Sequence, residues 1–257
     1  SSKSCGQSPL NVGGQPKTFA MPTFNAYIDG FNFYKGVLEK RPHLKWLNLK
    51  SFCQSLVPDF NLGEVFYFTA RIKERYQGDE APRRQHLYLR ALEAPGVKIV
   101  CGRTVKNRER IRVATTKRKE ILVPELPSNF GLTQFALSKI ANSVKPDLPK
   151  AQVSYFSEKG TDVNLASYML RDAFKNNVKS FLLISGDTDL LTPVRFLKEM
   201  SALIQVAVPH HGQQISAFKE CATRVGIIDI GKLDGHLFPH RYVSPKGRQI
   251  HCPPQWR

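Results

Sequence analysis

Residues 181–190 read FLLISGDTDL. Phe181 to Ser185 form an apolar run of strand length that ends on Gly186, Asp187, Thr188 and Asp189. One Asp at such a point can cap the helix that follows. Two carboxylates two residues apart are more than a cap needs. TDLLTPVRFLKEM then reads as a helix, in which Pro193 is tolerated only within the first turn. An apolar strand, an acidic end and an amphipathic helix make the repeating unit of a parallel α/β sheet.

The unit recurs on both sides. FNAYID ends on Asp29, and Gly30 leads into FNFYKGVLEK, where Phe31, Tyr34 and Leu38 keep helical spacing. LNLKSFCQSLV (47–57) reads as a helix, GEVFYFTARI (63–72) as a strand, PRRQHLYLRALEA (82–94) as a helix and GVKIVCG (96–102) as a buried strand. TDVNLASYMLRDAFKNN is an amphipathic helix with Val163, Ala166, Met169, Leu170 and Ala173 expected on its inner side. ALIQVAV is a strand and QQISAFKECATRV a helix. Alternating strands and helices predict a three-layer α/β/α sandwich with a central, mainly parallel sheet covered on both faces.

The 257 residues, 41% of them hydrophobic, suffice for one sizeable core with an insertion. Residues 1–22 are polar and rich in Ser, Gly and Pro, and read as a disordered tail or expression remnant. Residues 23–235 read as a single domain, interrupted at 103–150 by a basic insertion. Alternation in RIRVATTKRKEILV predicts an exposed basic hairpin or strand there, and four prolines between 124 and 149 predict a loop. Residues 236–257 read as a basic C-terminal tail.

Thirty-eight Lys and Arg against 21 Asp and Glu leave a formal charge of +17, which favours a polyanionic partner, nucleic acid before an anionic membrane surface. The five cysteines, at 5, 53, 101, 221 and 252, form no CxxC and suit a reducing compartment. No apolar run is long enough to cross a bilayer, and the N-terminus lacks the apolar core of a secretory signal. A soluble, cytoplasmic protein is expected.

In open parallel sheets ligands sit beyond the carboxyl ends of the strands. Asp29, Asp187 and Asp189 end strands, and Asp162 opens the helix TDVNLA, so all four should meet on one edge. Unpaired carboxylates that converge repel one another, and a divalent cation removes the conflict. Hard oxygen donors suit Mg²⁺ or Mn²⁺. A basic surface to collect a polyanion and an acidic pocket to collect a metal together describe a phosphodiesterase, most simply a nuclease. Each acid has a plainer reading: a turn at Asp29–Gly30, or helix caps at the other three. Asn32 is either a turn residue or a group that orients an acid or a water.

YIDGFNFYKG (27–36), YFTAR (67–71), RQHLYLRAL (84–92), EKGTDVNLA (158–166) and SGDTDLLTPVRFLKE (185–199) resemble the NYN domain family of PIN-like nucleases, in its LabA-like branch. The resemblance spans roughly residues 24–230 and is weakest at 103–150. It implies a PIN-like sandwich, a metal-dependent acidic site and RNA as substrate. Carried over by motif, Asp29, Asp162, Asp187 and Asp189 are the implied metal-site acids and Asn32 the Asn of the first motif, while Leu190 stands where an aromatic is common. Asp29, Asp162 and Asp187 are expected as direct ligands. Asp189 is expected to act through water or as a general base. Whether one or two ions bind stays open.

For the substrate track, Arg71, Lys73, Arg83, Arg84 and Lys159 lie near the expected active edge. Arg103, Lys106, Arg108, Arg110, Arg112, Lys117, Arg118 and Lys119 make the insertion a candidate clamp, or else a solvated loop. Tyr67, Tyr76 and Tyr88 are candidate base platforms, though such aromatics more often pack inward. His210 and His211 are expected to be solvated, and no closed zinc spacing, P-loop, GxGxxG or GxSxG occurs. The expected activity is a metal-dependent ribonuclease, an endonuclease. The alternatives are an RNA-binding regulator without catalysis, and a single-stranded DNA nuclease or other phosphodiesterase. A homodimer stays open.

Overall fold

The computed structural model describes residues 21–112, 114–115, 121–122, 150–210 and 214–257. The strands are β1 (Thr23–Asp29), β2 (Asn61–Thr69), β3 (Lys98–Cys101), β4 (Arg103–Arg112), β5 (Ala114–Thr115), β6 (Ile121–Leu122), β7 (Lys150–Lys159), β8 (Ser180–Ile184), β9 (Leu203–Val208), β10 (Arg224–Ile227), β11 (Arg241–Val243) and β12 (Gln249–His251). The α-helices are α1 (Gly30–Phe33, continued by a π turn to Leu38), α2 (Leu49–Leu56), α3 (Ala81–Glu93), α4 (Thr161–Phe174), α5 (Leu191–Glu199) and α6 (Gln214–Cys221). Among the described residues no helix is long and apolar enough to cross a membrane.

Six strands form one sheet in the order β10-β9-β8-β1-β2-β3, and every neighbouring pair is parallel. The chain runs outward from β1 through β2 to β3, then returns on the other side of β1 through β8, β9 and β10. Strand order therefore reverses between β1 and β8, where a crevice opens in sheets of this kind.

Side-chain alternation splits the core. Phe24, Ala26 and Ile28 of β1, Val65 and Tyr67 of β2, and Leu182 and Ile184 of β8 face α1, α2 and α3. Tyr27, Phe66, Phe68, Phe181 and Leu183 face α4, α5 and α6. Period-two strands with large apolar groups on both sides require covering layers on both faces, and the result is the expected α/β/α sandwich.

Several local expectations need correction. The helix expected over QQISAFKECATRV ends at Cys221, and Arg224–Ile227 forms the sixth strand beside β9. The strand expected to reach Ile72 stops at Thr69. On α4, Val163 is exposed, whereas Leu165, Met169, Asp172 and Ala173 are buried. Asp172 can occupy the buried face because Tyr27 Oη donates to its Oδ2 at 2.7 Å, while Arg171 and Asn176 donate to Oδ1. Residues 236–257 do not form a tail. Phe238, Ile250 and Cys252 are buried in the first core, and the rings of Phe238 and Trp256 pack on Trp46. Trp46 Nε1 donates to the Pro239 carbonyl, and Leu237 bridges Leu47.

The described part of the basic excursion is extended, and the proline-rich loop expected over 124–149 lies outside the described residues. Strands β4 and β7 pair antiparallel over ten residue pairs, from Arg103 opposite Lys159 to Arg112 opposite Lys150. The returning strand thus extends nine residues past the expected end of the insertion, as far as Lys159.

Candidate metal centre

The site is built at the switch point. Ile28 lies beside Ile184 in the β1–β8 register, so Asp29 and Ser185 leave the sheet side by side. Asp29 Oδ1 caps α1 by accepting from Asn32 N at 2.9 Å, and Oδ2 accepts from Ser185 Oγ at 2.8 Å. Ser185 Oγ also accepts from Asp187 N at 3.0 Å. Asp187 caps the following 3₁₀ turn, its Oδ1 accepting from Asp189 N at 2.9 Å. Capping and metal binding are therefore compatible here, since the cap bond to Asp187 uses Oδ1 alone. The Asn32 side chain accepts from Gly186 N at 2.9 Å, which ties the two acidic strand ends together.

Asp162 reaches the same place from the first turn of α4. One carboxylate oxygen each of Asp29, Asp162 and Asp187 lies within 4.8 Å of the others, a group able to hold a divalent ion. Two oxygens bound to one Mg²⁺ are at most about 4.2 Å apart. Three oxygens on one octahedral ion include at least two neighbouring pairs about 3 Å apart, so side-chain rotation would draw the set closer around an ion. Asp189 lies outside this group and is exposed. Among the described residues none of the four acids is in an ion pair with Lys, Arg or His.

The electrostatics match that geometry. Asp29 is only 3% exposed, and burial pushes its carboxyl up to about 6, partly offset by the Asn32 and Ser185 hydrogen bonds and reinforced by Asp162 and Asp187. Burial, then Asp187 and Asp189, raises Asp162 as well. A cation would reverse each of these shifts, because its charge favours the ionised carboxylates.

Glu158 escaped the sequence reading, and Tyr67 and His210 take more definite places than it gave them. Glu158, at the end of β7, accepts a hydrogen bond from Thr161 Oγ1, and burial and Asp162 raise its carboxyl. Its place four residues before Asp162, in SEKGTD, was the available signal. Tyr67, expected as a platform or core residue, forms the floor. Its buried phenol lies against Gly30 and is held protonated by burial and by the charges of Asp29 and Glu158. The His210 ring is exposed, as expected, and stands beside Gly36 and Gly186 at the rim. His211 lies outside the described residues.

The basic candidates divide by place. Arg71 and Lys73 are exposed in the loop beyond the end of β2, and Arg83 and Arg84 start α3 on that same edge. Arg83 is within 3.5 Å of Glu80. Arg103, Lys106, Arg108 and Lys159 are exposed on the β4–β7 ribbon. Arg110 and Arg112 continue β4, and Lys117, Arg118 and Lys119 lie outside the described residues. Tyr88 is core, its hydroxyl donating to the Leu47 carbonyl, and Tyr76 is exposed.

A six-stranded parallel sheet between helical layers, with carboxylates gathered at its switch point, defines a PIN-like architecture. The model of the NYN domain, a PIN-like nuclease family, matches residues 128–229. The match includes Asp162, Asp187 and Asp189, and Asp29 joins them through the pairing of β1 with β8. The LabA-like branch has no such support. A curated protein named 6-hydroxy-3-succinoylpyridine 3-monooxygenase HspA, from Pseudomonas putida (strain DSM 28022 / S16), is 27% identical over 212 residues. The alignment covers 74% of this chain and 61% of the length of that relative. Among solved structures, a protein of unknown function from Vibrio parahaemolyticus RIMD 2210633 aligns with a TM-score of 0.46 and 15% identity, over 83% of this chain and 96% of the other.

Proposed function

We propose that the protein is a metal-dependent phosphodiesterase that cleaves RNA internally. The observation that carries this is the meeting of three carboxylates from three separate elements within 4.8 Å, on a chain whose formal charge is +17. Such a chain attracts a polyanion, and only a local acidic pocket would attract a cation.

A bound Mg²⁺ or Mn²⁺ supplies a Lewis acid for the phosphoryl oxygen and a water of lowered pKa. Asp29, Asp162 and Asp187 would hold it. Asn32 and Ser185 act as positioning groups, because their hydrogen bonds fix Asp29 and the loop that carries Asp187. Asp189 is exposed beside Asp162 and is placed to orient the attacking water or accept its proton. Arg71 and Lys73, just beyond the end of β2, are placed to hold flanking phosphates.

The oxygenase chemistry in the relative's name is not carried to this chain. Three carboxylates are the hard donor set of Mg²⁺ or Mn²⁺, whereas non-haem iron oxygenases commonly use two His and one carboxylate.

The test is cleavage of end-labelled single-stranded RNA with Mg²⁺ or Mn²⁺, comparing wild type with Asp187→Asn and with a chelator control. Cleavage should require the ion and fall at least about a hundredfold in the variant. Metal-independent cleavage, or equal cleavage by the variant, would overturn the assignment. Salt-sensitive RNA binding without cleavage would instead favour an RNA-binding regulator.

A further inference from the structure

The β4–β7 ribbon has two unlike sides. Residues directly opposite in an antiparallel pair project to the same side. One side therefore carries Thr104 with Glu158, Lys106 with Phe156, and Arg108. The other begins with Arg103 opposite Lys159 and continues with Val105 opposite Ser157 and Asn107 opposite Tyr155. Its positive charge is confined to the root, and Asn107 is occupied by a hydrogen bond to Ser157.

The first side faces the acidic edge. At its root Thr104 Oγ1 donates to the Arg71 carbonyl at 2.7 Å, and Glu158 bonds Thr161, next to Asp162. Same-side residues on a strand are spaced by about 7 Å. Lys106 and Phe156 therefore stand about one such step from Glu158, and Arg108 about two. Lys106 and Arg108 are exposed, and among the described residues neither has a carboxylate partner. An exposed lysine and arginine flanking a half-buried ring, in line with an acidic edge, combine the two elements of single-strand recognition: cations for phosphates and a π face for a base.

We propose that this side of the ribbon is a track for a single-stranded polynucleotide, with Lys106 and Arg108 on successive phosphates and Phe156 stacked on a base between them. It deepens the phosphodiesterase assignment, on which it rests for what happens where the track ends: the substrate class is an unpaired strand several nucleotides long. A duplex keeps its bases stacked inside and offers nothing to Phe156. A dinucleotide reaches the acids but not Arg108.

The experiment is binding of a labelled single-stranded RNA of about 20 nucleotides to the full chain in chelator, so that cleavage plays no part. Fluorescence anisotropy is followed across a salt series. Lys106→Gln/Arg108→Gln should weaken binding about 25-fold at about 0.1 M salt and make the log–log salt slope shallower by about 1.4, or 0.7 per lost cation. Phe156→Leu should weaken binding about tenfold with the slope unchanged. A perfect duplex of the same length should compete more weakly than the single strand. Lys106→Gln/Arg108→Gln should keep the wild-type melting temperature, since both cations are exposed. Wild-type affinity and slope in both variants, a duplex that competes equally, or no RNA binding by wild type would each overturn the track. Failure of the metal-dependent cleavage assay with this pattern intact would sink the phosphodiesterase assignment alone.

Discussion

Replacing Asp29 with asparagine removes the most buried charge of the acidic edge while keeping its shape. The amide oxygen can still accept from Asn32 N, and the amide nitrogen can donate to Ser185 Oγ. In wild type the carboxyl moves from 3.8, its ordinary value, to about 6 on folding. A raised carboxyl makes a stabilising contribution that is complete below pH 3.8 and is lost as pH rises through about 6. Between those limits the folded state binds more protons than the unfolded one. The loss at neutral pH is about 3 kcal/mol. Asp29→Asn has no such loss, so in chelator at about pH 7.5 it should melt higher than wild type, by about 6–12 °C for a chain of this size. At about pH 4 the gap should nearly close. A divalent ion at about a thousand times the Kd should reverse the order, since wild type would gain about 4.1 kcal/mol, and a variant without the ligand would not. Thermal melts over this pH range, with and without Mn²⁺, give every quantity. A variant that melts at or below wild type in chelator at pH 7.5, or a gap independent of pH, would refute the electrostatic account of the site.

Gly30→Ala places a Cβ 2.5 Å from the Phe68 carbonyl oxygen and 2.8 Å from the Tyr67 ring. It should cost about 1–3 kcal/mol in denaturant unfolding and weaken metal affinity by displacing Asp29, whereas wild-type stability would show that the close approach is not real. Phe238→Ala should cost about 3–5 kcal/mol, because the ring is buried against Trp46 and Tyr242. A change within about 0.5 kcal/mol would restore the view of residues 236–257 as a loose tail.

The sheet was legible because its strands are short apolar runs ended by polar punctuation. FNAYID and SFLLIS each bury side chains on both faces and hand over to an acid at the same edge. Legibility failed where a partner far away in sequence supplied the stabilisation. RVGI has little apolar content of its own and becomes a strand only beside β9. The C-terminal segment reads as basic and proline-rich, and its apolar residues keep no period; Trp46 and Tyr88 make it core. The inner face of α4 was expected to include Val163 and not Asp172, because nothing local announces that Tyr27 would satisfy a buried carboxylate. The acids were placed on one edge by the strand-end rule alone. The rule gave no sign that Asn32 and Ser185 would lock Asp29 and the Asp187 loop together, nor that Glu158 would join them from a ribbon.

The most direct measurement is the anomalous difference map of a crystal soaked in Mn²⁺. A single peak about 2.1 Å from carboxylate oxygens of Asp29, Asp162 and Asp187 is the predicted result. A crystal that binds Mn²⁺ elsewhere, with the three carboxylates apart and empty, would contradict the account.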